Sequence, residues 1–402
     1  MKIIRVMSFF VSIIVTAVLL TGCATRIPGT GTPAEVDVRA LDTGRYSFRA
    51  PELPRLVDRT AQLRIEAARL AGSVLSPYSV DPAYAVGASA EAHTDIGSVT
   101  DYLYEATVPV LSAHGFILGF STGSADTVMP LRRADYGTHK HEGLTVTVLR
   151  FPDRAAAFAA AGEMDAADFA ADRENVAVAI PEYPGAAAHW RPSVPTMGTT
   201  LARGDFVVTV LADSRTTDSD RLVRMTQRYL DAELPELDRF APTPLDRLDT
   251  LQQDPDRVLV RTLHASPYIP SPDGQGEVVY TLWGYSNYVL DQGSRLPVLQ
   301  RTGVDRVAVT PNVLLFRTRD ADAARQFVRD SPGLGDPASH RPVDPPEKVP
   351  GSVCIRDRTA ASAAEFRCFV SYGRYAALLL GQRLWETQQR TAAQYALLAG
   401  SS

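Results

Sequence analysis

The chain has 402 residues, 45% hydrophobic and 22% charged, with a formal net charge of −5. It is therefore long enough for two domains and apolar enough to bury a real core. Mild acidity, with no basic run longer than a pair, removes the electrostatic footprint that a nucleic-acid partner requires. Neither a Gly-rich phosphate loop nor a paired zinc spacing occurs.

In chain order, Lys2 and Arg5 precede an apolar run over residues 11–20 that is broken by Ser12 and Thr16 alone. A charged start followed by such a run has the proportions of an export signal, and it is shorter than the about 20 apolar residues that a spanning helix needs. It closes on Leu20-Thr21-Gly22-Cys23, which resembles the bacterial lipobox at all four positions. That resemblance implies a signal peptide over 1–22 and a diacylglycerol thioether on Cys23. With N-acylation this supplies the two signals that stable anchoring takes. The expected location is the extracytoplasmic face of the cell membrane. Removing residues 1–22 takes away Lys2 and Arg5 and makes the remainder more acidic. Residues 23–45 are rich in Gly, Pro and Thr and read as a flexible tether.

Regular structure is expected next, in a first domain over 46–240. Leu56, Leu63, Ala67, Leu70 and Val74 recur at helical spacing over 55–74, and a second helical stretch runs over 99–114 with Pro109 kinking it or starting a new turn and Gly115 as its stop. Residues 116–120, Phe-Ile-Leu-Gly-Phe, read as a short buried strand. Residues 144–150 alternate as a strand, and Phe151-Pro152-Asp153 turns into an Ala-rich helix over 154–164 with Asp153 as N-cap. Residues 200–211 read as two strands around Gly204-Asp205, after which Asp218 caps another helix.

After the linker Ala241-Pro242-Thr243-Pro244, a second domain over 245–402 repeats this order. Strands are expected over 258–263 and 277–282, followed by Trp283, Tyr285 and Tyr288, an aromatic group that fills the core or lines a pocket. A strand over 312–317, an Asp320-capped Ala-rich helix, a hairpin around Gly373-Arg374 and a last helix over 386–398 complete it. Strand, Asp-capped helix, long loop, hairpin and helix thus appear twice, about 165 residues apart, which reads as a diverged internal repeat. The expected class is α+β: two related domains, each an antiparallel sheet with helices packed on one face. Cys354 and Cys368, the two cysteines besides Cys23, are an even number in an oxidising compartment and are expected to pair.

The lipobox, Leu41-Asp42-Thr43-Gly44, Gly115-Phe116-Ile117-Leu118-Gly119-Phe120, the Phe151-Pro152-Asp153 turn and the two-domain length resemble a family of uncharacterised two-domain envelope lipoproteins of mycolic-acid-containing actinobacteria. The hairpin with paired cysteines before a last helix is also loosely similar to extracellular sensor-type domains of those bacteria. The resemblance implies an envelope lipoprotein with no catalytic residues to carry over.

The remaining candidates are weak by pattern. His139-Lys140-His141-Glu142 places two imidazoles at i and i+2 without the rest of a metal shell and reads as a solvated loop. Arg203-Gly204-Asp205 is what a hairpin turn uses. Gly119-x-Ser121-x-Gly123 has the spacing of a nucleophile elbow, with an aspartate and His264 to complete the set, but residues 124–130 make a poor helix where the elbow needs one. The reading is a non-catalytic, membrane-anchored lipoprotein without metal or cofactor. It binds a lipid, glycan or envelope-protein partner through a groove between its domains. The alternative is a secreted serine hydrolase using Ser121.

Overall fold

Two seven-stranded sheets, antiparallel at every pairing, organise the chain. The computed structural model describes residues 36–53, 58–128, 141–264, 277–334, 339–358 and 364–401. The first sheet contains β1 (Val86–His93), β2 (Leu118–Ala125), β3 (Gly143–Arg150), β4 (Val176–Val178), β5 (Ala187–Trp190), β6 (Thr196–Arg203) and β7 (Phe206–Asp213), in the spatial order β1-β2-β3-β7-β6-β5-β4. The second contains β8 (Val278–Thr281), β9 (Arg306–Thr310), β10 (Val313–Arg317), β11 (His340–Val343), β12 (Val353–Asp357), β13 (Phe366–Tyr372) and β14 (Tyr375–Gly381), in the order β8-β9-β10-β14-β13-β12-β11. Each strand of the second sheet occupies the place of the strand seven earlier, so the two halves share one α+β topology.

The helices are α1 (Arg59–Ala71), α2 (Pro77–Val80), α3 (Val108–Ala113), α4 (Arg154–Phe169), α5 (Ser219–Arg239), α6 (Leu282–Ser286), α7 (Gln292–Arg301), α8 (Ala321–Asp330) and α9 (Leu384–Gly400). The caps read from sequence are in place. Asp153 accepts from the Ala156 N–H at 2.9 Å, Asp218 from Arg221 at 3.0 Å and Asp320 from Ala323 at 2.8 Å, satisfying a first-turn donor that otherwise has no helical partner. The Ala-rich face of α4 lets it lie close on the sheet, with Ala157, Ala160 and Ala161 buried beside Leu149 and Val207.

Helices were expected on one face of each sheet, but the first sheet carries them on both. Leu144, Val146 and Val148 of β3 join the core under α1 and α5, while Leu149 joins the core under α4; a strand buried on both faces reads as a continuous apolar run. The stretch expected as a strand over 258–263 instead holds a single 3-10 turn, Leu259–Arg261. The side chain of Asp254 holds it by accepting the N–H groups of Val258 at 2.7 Å and Val260 at 2.9 Å. The helix expected over 99–114 is two short 3-10 turns followed by α3. Pro109 sits in its first turn, where no N–H is needed, and Gly115 follows at φ +69°.

The two halves share a core. Val278 and Tyr280 of β8 pack in the same cluster as Leu70, Phe120 and Tyr229. The Pro-rich connector is clamped: fully buried Glu66 accepts from the Thr243 N–H at 2.7 Å and its hydroxyl at 2.8 Å, and Arg150 donates to the Thr243 carbonyl at 2.7 Å. Part of the stretch expected as tether also docks. Leu41 is buried, Asp42 accepts from Gln389, and the Tyr46 hydroxyl donates to Glu386 on α9 at 2.8 Å.

Candidate functional site: a cavity between the two sheets

The edge strand β1 of the first sheet runs beside the β8–β10 side of the second, and between them lies a cavity of 260 Å³, near the about 300 Å³ lower end of ordinary ligand pockets. Its wall on β1 is made of Ala90 and Ala92, small side chains that leave room. The opposite wall is Tyr280 of β8, Tyr285 of α6, Tyr288, Val309 and Leu314. The tyrosines are held from behind: the Tyr280 hydroxyl donates to that of Tyr288 at 3.0 Å, the Tyr288 ring meets Phe120 edge-on at 5.9 Å, and the Tyr285 ring meets Phe316 at 5.5 Å. Burial pushes the Tyr280 and Tyr285 phenols up to about 12, so both remain neutral donors.

Polar lining comes from Arg64 of α1, Glu91 of β1, and Asp95 and Ser98 just after β1. Burial, then the charges of Asp101 and Asp95, raises the Glu91 carboxyl above its ordinary value. Of the aromatic group singled out from sequence, Tyr285 and Tyr288 line this cavity, whereas Trp283 is 46% exposed.

Ser121 lies in the middle of β2, fully buried. Its hydroxyl is 2.7 Å from His93 Nε2 and 2.7 Å from the Thr147 hydroxyl, and His93 Nδ1 is 3.3 Å from the Ser98 hydroxyl. Burial drives the His93 imidazole down to about 4, keeping it neutral. The imidazole that the hydrolase alternative would draw on, His264, is taken up by Glu277 and, at 3.0 Å, by the Leu259 carbonyl. No helix turns away directly after Ser121, because β2 continues through it to Ala125. His93 was missed because β1 was missed: Val-Gly-Ala-Ser-Ala-Glu-Ala-His alternates strictly, yet alanine carries little strand preference.

His139 and Lys140 lie outside the described residues, as does Cys23 with the whole lipobox. The solvated loop expected at His141-Glu142 is corrected: His141 is fully buried 3.1 Å from Asp213, and Glu142 is gripped by Arg221 at 2.6 Å. Arg203-Gly204-Asp205 is a hairpin turn, with Gly204 at φ +58° and Arg203 paired with Asp238 at 2.8 Å. Cys354 and Cys368 face one another across β12 and β13 and form a buried disulfide. Among the described residues no helix is long and apolar enough to cross a membrane.

Fold and cavity define a two-domain α+β protein with twin antiparallel sheets and a ligand-sized space where they meet. The chain belongs to the family described as domain of unknown function DUF7373, whose N-terminal part matches residues 54–253 and whose C-terminal part matches residues 258–401. Among solved structures it is similar to the extracellular domain of PknH from Mycobacterium tuberculosis, at 12% identity over 40% of this chain and 91% of that one, with a TM-score of 0.28. No curated protein matches it.

Proposed function

We propose that this is a non-catalytic, lipid-anchored envelope protein that binds a small amphipathic molecule, lipid-like in character, in the cavity between its sheets. The observation that carries the reading is the cavity's lining: three braced tyrosines and aliphatic side chains facing a rim of Arg64, Glu91 and Asp95. Apolar walls with a few convergent polar groups are the usual composition of a small-molecule site. The anchor rests on Lys2, Arg5, the apolar run and Leu20 to Cys23. Against the hydrolase alternative, Ser121 and His93 are both fully enclosed, and an acyl substrate has no approach to the hydroxyl. Their contact serves instead as a satisfied buried polar chain, Thr147 to Ser121 to His93 to Ser98.

The test is to purify the full chain from its native envelope and to identify co-purifying molecules by mass spectrometry, beside the Ala90→Leu variant, which narrows the cavity. The expected result is a bound amphiphile in the parent chain that is depleted in the variant while the unfolding transition is retained. An empty parent chain, or equal loading of both, would sink the proposal.

A further inference from the structure

A second cavity, in the first half, opens on the other side of the sheet from α1 and shares no lining residue with the one just described. It measures 370 Å³ and lies over β5 and β6 beside the end of α4, lined by Tyr104, Asp168, Asp172, His189 and Arg191 among others. A recess of 40 Å³ leads on from it, sharing Tyr104, Asp168, Gly198 and Leu211 and reaching Thr145, Thr147, Thr200 and Thr209. That is room for about one water-sized group.

Strand register explains this floor. One cross-strand row reads Ser121, Thr147, Thr209, Thr200 from β2 through β3 and β7 to β6, and the next reads Gly123, Thr145, Leu211, Gly198, His189. Hydroxyls and glycines therefore stand where a sheet face under a helix ordinarily carries branched apolar side chains. A Cβ on Gly198 would lie 3.6 Å from both Asp168 Oδ2 and His189 Nε2, so the absence of a side chain there opens the cavity. Thr145 is 7% exposed, and its buried hydroxyl finds no hydrogen-bond partner among the described residues. A buried polar group left in this way costs about 1–3 kcal/mol and marks a place for a ligand's polar atom. Around the mouth, acceptors and donors are already set. Asp172 and Arg191 pair at 2.6 Å, and His189 is held 3.2 Å from Asp165.

We propose that this cleft binds a small polyhydroxylated molecule, a mono- or disaccharide, with one hydroxyl directed into the recess toward Thr145. Sugar hydroxyls donate and accept at once, which suits a wall of carboxylates, a guanidinium, an imidazole and threonine hydroxyls. An apolar ligand would leave the Thr145 hydroxyl unpaired.

The test is saturation-transfer NMR on the full chain in detergent with glucose, galactose, mannose, arabinose, maltose and lactose. At least one sugar is expected to bind. Gly198→Val should abolish the signal by filling the cleft, and Thr145→Val should weaken binding about fivefold to tenfold, the worth of one hydrogen bond. Val suits a strand position, and unchanged unfolding transitions establish that both variants are folded. Silence from every sugar, or equal binding by the parent chain and Gly198→Val, would overturn the proposal. Neither result bears on the cavity between the sheets.

Discussion

Set side by side, the two halves share a strand order and differ in what the sheets carry. Counted from the Asp caps and hairpin turns, the row Ser121, Thr147, Thr209, Thr200 of the first half corresponds to Val309, Leu314, Leu378, Phe369 in the second. The opposed pair Ala188 and Thr199 corresponds to Cys354 and Cys368. The second half thus closes its sheet with large apolar side chains and a covalent staple, and the first keeps small and hydroxylated ones and leaves room above them. One backbone frame supports both because the inward and outward alternation of a strand is indifferent to which side chain fills each place. Ligand chemistry is accordingly to be sought on the first sheet and at the seam between the sheets.

The largest effect that separates the halves is expected at a shared arginine. Arg150 and Arg317 each stand three residues before the helix-capping aspartate. The Arg150 side chain is 5% exposed and reaches wholly buried Glu66 at 3.4 Å, while Arg317 is 15% exposed and pairs with Asp305, itself 45% exposed, at 2.8 Å. Glu66→Ala strands a buried cation and unclamps Thr243, so it should cost about 3–5 kcal/mol in denaturant unfolding. Asp305→Ala, at a wetter pair, should cost under about 1 kcal/mol. Equal costs would mean that the connector clamp does not depend on burial.

Next in size is the staple. Cys354 and Cys368 are separated by 14 residues, and closing a loop of that length constrains the unfolded chain by about 3 kcal/mol. The double variant Cys354→Ala and Cys368→Ala should lose that much. A loss below about 1 kcal/mol would show that the apolar row holds the second sheet without it.

Much of the frame was legible in sequence. The three aspartate caps, the hairpins at Gly204 and Gly373, the paired cysteines and the repeated order all rest on local chemistry written in adjacent residues. What stayed hidden depends on pairing between distant segments. β1 is an alternation of alanine with small or polar residues, and its place as an edge strand shows only when β2 lies beside it. His93 meets Ser121 by that pairing, and the tyrosines of the seam become cavity walls because a strand 190 residues away in sequence supplies Ala90 and Ala92 opposite them. The hydroxyl row is likewise spread over four strands, one residue in each, and no window of sequence contains it.

The finest distinction between the halves is a carboxyl set against an amide. On the last helix of the first half, fully buried Glu233 accepts the Leu75 N–H at 2.8 Å and the Tyr229 hydroxyl at 3.2 Å. On the last helix of the second half, fully buried Gln394 accepts the Leu263 N–H at 2.7 Å and donates to the Arg261 carbonyl at 2.8 Å. Burial pushes the Glu233 carboxyl from its ordinary 4.5 up to about 8, whereas the amide does not titrate. The folded chain therefore holds a proton that the unfolded chain releases, and the stability this contributes is full below pH 4.5 and lost as pH rises toward 8. His93 acts in the opposite sense, being held at about 4 against its ordinary 6.5, so its contribution is lost as pH falls from 6.5 toward 4. Above pH 6.5 the His93 contribution no longer changes, so the window from pH 6.5 to 8 reads Glu233 without it. There, stability should fall by on the order of 1 kcal/mol per pH unit, and Glu233→Gln should flatten that slope by giving the first half the amide that the second already has. The comparison needs denaturant unfolding of both chains at several pH values across the window. Parallel slopes would mean that Glu233 is ionised in the folded protein and that the two last helices do not differ in this way.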